Sequence, residues 1–436
     1  MHTSSTRGTG IQVANHLLLA IATAALVACG GGGGSTASGP AATDATITSS
    51  TSTPTTGAGT AALPTGSAVT AQPAAQSGVV RVNADAAGQQ TLAEVAALQG
   101  GGYAIAWVSR PDAAAASVHL QRFDADGQRA DAESVIALAA GETDANVAVL
   151  PDGSVAIATL QTGSASPAEP WITRTAVVLR RYTAAGAQLG TALQVAVIDQ
   201  DRTAATAMHY VAAPKLIHWE DGTFLLAWSQ VQDDASGKVP QFWARRFDAA
   251  GQPVGANVVV GVGVSGSPLQ IVAAATSGFV VATTVSTQAG PFLMYRGFDG
   301  AYSPVLPADA LGAAEGSQLL PLQGGAQVLL SPVKSMATMQ VYDARGQAQG
   351  AGTALRAMPV GSTALADGGF VLVMSDGGAL HAQHYDAAGN AVGAGQPIAG
   401  NANAAQGVAL GNGNIALAWN ANNAGDQDVM ATRITP

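Results

Sequence analysis

One pattern recurs seven times between Leu98 and Trp419, and it constrains the fold of this chain more than any other feature. An apolar residue leads into a short turn that ends in Gly, and an apolar run follows. The first copies are Leu98-Gln-Gly-Gly101 with Tyr103-Ala-Ile-Ala-Trp107, Leu150-Pro-Asp-Gly153 with Val155-Ala-Ile-Ala-Thr159, and Trp219-Glu-Asp-Gly222 with Phe224-Leu-Leu-Ala-Trp228. The next are Ala275-Thr-Ser-Gly278 with Phe279-Val-Val-Ala-Thr283, and Leu322-Gln-Gly-Gly325 with Val328-Leu-Leu330. Leu365-Ala-Asp-Gly368 with Phe370-Val-Leu-Val-Met374, and Leu410-Gly-Asn-Gly413 with Ile415-Ala-Leu-Ala-Trp419, complete the set. Successive turn glycines lie 43 to 69 residues apart, so each unit is long enough for several strands.

Asp-Gly, Gly-Gly and Asn-Gly between apolar runs are hairpin signals, and type I′ turns, with φ > 0 at both central residues, are the expected geometry. The runs are too short for helices and lack alternation, which predicts strands buried on both faces. The residue that usually falls six after the turn Gly (Trp107, Thr159, Trp228, Ser331, Met374, Trp419) marks an equivalent packing position between neighbouring sheets. A second turn follows most pairs, as Phe123-Asp-Ala-Asp-Gly127, Tyr182-Thr-Ala-Ala-Gly186, Phe247-Asp-Ala-Ala-Gly251, Phe298-Asp-Gly300, Tyr342-Asp-Ala-Arg-Gly346 and Tyr385-Asp-Ala-Ala-Gly389. The seventh unit ends at Asp428–Thr435 before any such turn, while Val79-Val-Arg-Val-Asn83 stands before the first unit as an orphan strand. Four strands per unit, seven units and one split unit predict an all-β, seven-bladed β-propeller whose N-terminal strand closes the last blade. An open β-solenoid is the second choice, and it would need capping units that the sequence lacks. The units resemble the Asp-Gly-Gly-Phe-Val-Val-Ala-Trp repeats of bacterial exported propellers, a likeness that spans residues 77–436 and implies architecture rather than chemistry.

Charged residues are 11% of the chain against about 25% in ordinary globular proteins, and Gly numbers 53, a balance that suits turn-rich β structure. The net charge is −10, with no basic run, which excludes a protein that grips phosphate backbones and makes nucleic acid an unexpected partner.

The single cysteine, Cys29, follows the apolar segment Leu17–Ala28. That segment is shorter than the about 20 residues a membrane-spanning helix needs and fits the apolar region of a secretory signal. Leu26-Val-Ala-Cys29 resembles the bacterial lipobox, which implies removal of residues 1–28 and lipidation of Cys29. Gly30 rather than Asp after the cysteine implies sorting to the outer membrane in that family. Residues 29–76 then form a Gly/Ser/Thr/Ala/Pro tether that cannot bury enough apolar surface to fold. As a flexible coil it reaches roughly 35–40 Å.

Motifs that would carry chemistry dissolve on inspection. The repeated turn Asp residues supply too few oxygens for calcium and read as turn caps. His381 and His384 sit three apart on a predicted strand, hence on opposite faces, and cannot share a metal. His119 and His218 read as partnered strand residues, and Arg122, Arg181, Arg246 and Arg433 as interblade hydrogen-bond donors. No Gly-x-Ser-x-Gly, phosphate-binding or zinc-helix motif is present, so neither a cofactor nor a metal is expected. The Gly turns should all lie on one face of the disc, leaving longer irregular connections on the other. A loop from about Asp199 to Lys215 carries Asp201, Arg202 and His209, and second-to-third strand loops carry Glu169 and Trp171 in blade 2 and Asp233 and Asp234 in blade 3. Loops over rigid scaffolds are where binding resides, so these seven residues form the candidate ligand site, with plain solvent-exposed variation as the competing reading. The expected function is a membrane-anchored, monomeric envelope lipoprotein, attached through Cys29 to the outer membrane, whose propeller binds protein or glycan. A carbohydrate-active or other hydrolytic enzyme is the alternative, and an envelope-assembly component a third class.

Overall fold

The computed structural model describes residues 78–85, 87–111, 116–201, 210–234, 237–262, 270–274, 278–287, 290–312, 316–333, 336–357, 359–376, 379–400, 402–423 and 426–436. The signal segment, Cys29, the tether, Arg202 and His209 lie outside them. Among the described residues the strands form five four-stranded antiparallel sheets and one of eight strands. The eight-stranded sheet is two blades joined by a parallel bridge from Gln89, on the inner strand of blade 1, to Gln427 on the third strand of blade 7. The innermost strands of consecutive blades touch one another all the way round, and the last touches the first, so the ring is closed. The protein is a seven-bladed β-propeller.

Closure uses the orphan strand. Val80–Arg81 pairs antiparallel with the third strand of blade 7, Asp426–Ile434. Val82 N–H donates to Val429 O at 2.7 Å, and Asn83 Oδ1 accepts from Val429 N at 2.8 Å. Asn83 Nδ2 donates to Asp428 Oδ1 at 2.7 Å, and Arg129 of blade 1 donates to the carbonyls of Arg81 and Val82. Val82 and Asn83 are both buried.

Seven apolar clusters fill the seven interblade spaces. They explain why the second strands are apolar at every position. In Tyr103–Arg110, Tyr103, Ile105 and Trp107 pack toward blade 7, whereas Ala104, Ala106 and Val108 pack toward blade 2. A strand buried on both faces has no polar face to display, so the period-2 signal vanishes. Cross-strand aromatic pairs recur at the turn end of the blades. Tyr103 stacks on Phe123, Phe224 on Phe247, Phe279 on Phe298 and Phe370 on Tyr385, with ring centroids 4.8 to 5.2 Å apart.

The Asp-Gly hairpin turns differ from the type I′ expectation, whereas at Gly100-Gly101 and Gly324-Gly325 both glycines have φ > 0. Asp152, Asp221 and Asp367 keep negative φ, and only the following Gly is left-handed, as at Gly153 with φ 82°. Gly153 N–H donates to Leu150 O, and Leu150 N–H to Ser154 O, which is a three-residue loop closed by a Gly bulge. Asp152 Oδ1 accepts from Ser154 N–H. The second turns are capped the same way: Asp124, Asp248, Asp299, Asp343 and Asp386 each accept from the backbone N–H four residues on. In blade 4 the left-handed position falls on Tyr302 (φ 62°) rather than on Gly300, and the Tyr302 ring lies edge-on to Phe279.

Of the arginines expected to donate between blades, Arg433 does so, whereas Arg122 bonds Asp131 and Arg181 bonds Ser154 within their own blades. Arg433 donates to Ala125 O of blade 1, and a Cβ at Gly127, Gly153, Gly251 or Gly300 would press on Arg433, Arg122, Arg181 or Arg246 of the preceding blade. The guanidinium of Arg246 lies 4.4 Å from the Trp219 ring centroid.

Candidate functional site

Both classes of Gly turn lie on one face of the disc. The opposite face differs from expectation in blades 2 and 3, whose second and third strands stay paired to within two residues of the connection rather than opening into irregular loops. Glu169 and Trp171 belong to a strand, Glu169–Tyr182, paired with Val155–Ser166 as far as Ser166 opposite Glu169. Asp233 and Asp234 end the strand Phe224–Asp234 and pair in register with Lys238 and Gly237. Of the stretch from Asp199 to Lys215, Asp199 and Asp201 belong to the strand Gln188–Asp201 and Lys215 to the strand Tyr210–His218, with residues 202–209 outside the described residues. Backbone pairing carries these polar segments upward as sheet. The second and third strands have 12 and 14 residues in blade 2 and 11 each in blade 3. Blade 5 has 7 and 7. At about 3.3 Å per residue, hairpins of blades 2 and 3 stand on the order of 10–20 Å taller.

Strand alternation then sorts the predicted residues. Trp171, Thr173, Thr175 and Val177 share one face, with Ser164 opposite Thr173, Thr162 opposite Thr175, and Gln200 opposite Thr173 on the other side. Lower down, that face is Leu160, Val177, Ala196 and Ile198, packed on Val211, Leu216 and Trp228 of blade 3. Above the contact it opens into a wall of one indole and several hydroxyls that looks toward the blade 3 hairpin bearing Asp233 and Asp234. Trp171 is 45% exposed. Between Thr173 and Glu169 the register shifts, so alternation does not extend to Glu169 at the hairpin tip. Asp201 pairs in register with Ile172 on the other face, beside Asp199 and Arg174. There Arg174 forms a bidentate ion pair with Asp199, both bonds 2.7 Å, which raises the Arg174 pKa and lowers that of Asp199. The structure thus puts Glu169 and Trp171 on one hairpin, sets Asp233 and Asp234 on the facing hairpin, and turns Asp201 away.

A second polar feature, missed in the sequence, rings the channel. The inner-strand residues paired with the fourth residue of each second strand include Glu94, Asn146, Lys215, Gln270, Gln318 and Gln406, with Gly361 in blade 6. In four blades a β-bulge immediately precedes this position and re-aims the side chain. Several of these groups satisfy the unpaired backbone edge of the next inner strand. Asn146 Oδ1 accepts from Leu216 N–H at 2.7 Å, Gln270 Nε2 donates to Ser317 O at 2.9 Å, and Gln406 Nε2 to Ala93 O at 3.1 Å. Glu94 accepts from Val149 N–H of blade 2 and, at 3.1 Å, from His218 Nε2 of blade 3. Burial pushes the Lys215 ammonium below the usual lysine pKa, against a smaller upward pull from Asp144.

The remaining histidines have structural settings. His119 bonds Ser117 Oγ at 2.8 Å and Glu133 Oε1 at 2.5 Å. His381 and His384 pair with Met374 and Val371 along the third strand of blade 6. His384 lines a pocket of about 300 Å³ with Val371, Gln396 and Ile434, beside the closure where no turn leaves the third strand of blade 7 for its outer partner. Among the described residues no three His, Cys, Asp or Glu side chains converge.

No protein-family model and no curated protein matches the sequence. Among solved structures, the β-propeller domain of the Trilobed protease from Pyrococcus furiosus is similar at 12% identity, over 79% of this chain and 95% of that one, with a TM-score of 0.43. TolB from Acinetobacter baumannii is similar at 13% identity, over 76% and 79%, with a TM-score of 0.35. A PL25 ulvan lyase is similar at 7% identity, over 78% and 94%, with a TM-score of 0.47. The class is that of the β-propellers, and none of these proteins transfers an activity to this chain.

Proposed function

We propose that this is a lipid-anchored envelope propeller that binds a neutral glycan at the hairpin rim of blades 2 and 3. Residues 1–28 serve as the lipoprotein signal, Cys29 carries the lipid and anchors the chain in the outer membrane, and the tether to residue 76 holds the disc clear of the bilayer. The observation that carries the binding reading is the exposed Trp171 in line with Thr173 and Thr175 on a rigid sheet. An indole offers a sugar ring an apolar platform, and hydroxyl and amide groups beside it meet sugar hydroxyls. Among the described residues of that strand face there is no cation, since Arg174 projects from the other face and is held by Asp199, which suits a neutral chain better than a sulfated or uronic one.

The hydrolytic alternative has less support. Two carboxylates acting on one glycosidic bond must flank it about 5–10 Å apart. Asp199 and Asp201 share one face of the blade 2 sheet, and Asp199 is committed to Arg174.

Two substitutions test the two halves of the reading. Cys29→Ala is expected to abolish incorporation of labelled fatty acid and move the protein to the soluble fraction; unchanged membrane retention would refute the anchor. Trp171→Ala is expected to weaken binding to neutral polysaccharide roughly tenfold or more, as for a buried aromatic anchor at an interface, with the melting temperature preserved. Titration by isothermal calorimetry checks this, and equal affinity of the variant and parent would exclude the wall as the site.

A further inference from the structure

One cavity lies where the repeat is interrupted. In sister blades the turn between the third and fourth strands reaches back over the blade before it. A Cβ at Gly389, in the blade 6 turn, would come within 2.9 Å of Val341 and 3.4 Å of Met339 of blade 5, and one at Gly127 of blade 1 within 2.7 Å of Arg433 of blade 7. Val341 and Met339 stand one and three residues before Tyr342, whose counterpart in blade 6 is Tyr385. The blade 6 equivalents are therefore His384 and Ala382. Blade 7 lays no such turn over them, because its outer strand is the N-terminal Val80–Arg81. In that place is the pocket of about 300 Å³, lined by His384, Ala382, Val371, Val392, Gln396 and Ile434.

The chain itself leads to this pocket. Val80 and Arg81 pair antiparallel with Ala431 and Met430, and Thr432 Oγ1 donates to Gly78 O at 3.2 Å. At Gly78 the backbone, followed toward the N-terminus, therefore points along Arg433 and Ile434. Val79 and Ile434 both pack on the apolar cluster that holds Val371 and Ala382, two of the pocket walls. The six residues before Gly78 are Gln72-Pro-Ala-Ala-Gln-Ser77, enough to span about 20 Å when extended. They carry no charge, and no Asp, Glu, Lys or Arg lines the pocket. Ala74-Ala75 repeat the small residues of sister turns, such as Ala249-Ala250 and Ala387-Ala388. Val392 is 43% exposed at the pocket, so covering it removes apolar surface from water. We propose that residues 72–77 dock in this pocket and supply in cis the turn that blade 7 lacks. Docked there, the tether leaves the disc on its Gly-turn face, and the hairpin rim of blades 2 and 3 faces away from the anchor. That orientation rests on the lipid-anchor reading; the docking does not.

The test is disulfide trapping in the full-length chain carrying Cys29→Ala, so that an engineered pair holds the only thiols. Ala75→Cys is combined with Val392→Cys at the pocket or, as the control, with Asp126→Cys. Asp126 is exposed on the blade 1 turn whose Ala125 O accepts from Arg433, so it flanks the same strand from the opposite side. A disulfide needs the two Cβ atoms about 3.5–4.5 Å apart, so its rate of closure reports which flank the segment occupies. The expected result is an intramolecular disulfide that forms in air at least tenfold faster in the pocket pair than in the control, read by non-reducing electrophoresis and peptide mass spectrometry. Ala394→Trp, at an exposed residue of the pocket wall, sets an indole in the way and should slow the pocket pair to the control rate. Equal melting temperatures confirm that every variant is folded. A pocket-pair rate equal to the control, a rate that Ala394→Trp leaves unchanged, or a disulfide joining two chains overturns the proposal, the last in favour of a second copy as the occupant. With Cys29 replaced, none of these outcomes depends on lipidation, and failure of the anchor is read separately from the membrane retention of the parent.

Discussion

Deleting residues 78–84 is expected to lower the unfolding free energy by on the order of 5 kcal/mol and to make the protein associate through the exposed edge of blade 7. The segment contributes Val82, fully buried in the cluster shared by blades 7 and 1, whose apolar burial is worth about 1.5–3 kcal/mol. It also supplies the partners of Val429 N–H, Val429 O and Asp428 Oδ1. Each buried polar group left without its partner costs about 1–3 kcal/mol. Water entering the opened edge recovers part of that sum, which keeps the estimate near the lower end. The third strand of blade 7 would then present a free ladder, a template for pairing with a second copy. Chemical denaturation and sedimentation read the two effects separately. An unchanged midpoint would mean that blade 7 is held by its packing on blades 6 and 1 alone. Asn83→Ala, which removes the buried amide and little else, should give about half the loss.

Much of this fold was legible before any coordinates because its determinants are local. The Asp caps at Asp124, Asp248 and Asp386 act on backbone four residues away, so the same short text appears wherever the same turn does. The split blade followed from a missing turn after Thr435 and an orphan strand at Val79–Asn83. The hairpin rim was read as loop because Gln161–Pro170 is rich in Ser, Thr, Gly, Ala and Pro, and composition reports nothing about the register that a rigid hairpin imposes from below. Once those residues are strand, parity alone separates Trp171 from Asp201. The channel ring is the instructive case. Glu94, Asn146, Lys215, Gln318 and Gln406 each fall seven residues before the turn Gly of their own unit. The signal was therefore present, but as a column across units rather than a motif within one. Identities that vary at a fixed offset look like noise until the offset is known to face the axis.

Glu94 provides the sharpest contrast between a residue that looks catalytic and one that holds the ring together. It is an acid paired with a histidine near the axis of a propeller, where an active site would be sought. Its side chain is 6% exposed and that of His218 is 3% exposed, so both are buried rather than open to solvent. Its two oxygens join blade 1 to blades 2 and 3 through Val149 N–H and His218 Nε2. Glu94→Ala should therefore cost about 3–5 kcal/mol, the range for breaking a buried charged pair by removing one partner. The calculation includes a lost acceptor for Val149 N–H and a cavity at the innermost seam. Glu94→Gln keeps the volume and one carbonyl acceptor, and should lose only about 1–2 kcal/mol. If Glu94 were instead a general acid or base, Gln would be nearly as damaging to function as Ala while leaving stability close to the parent. The two substitutions are thus ordered by stability if the group is a tie between blades and by activity if it is a catalyst. Equilibrium unfolding of both variants, with polysaccharide binding per folded molecule measured alongside, separates the cases: a stability gap of a few kcal/mol between Ala and Gln with binding unchanged in both assigns Glu94 to the architecture, and equal stability would remove that assignment.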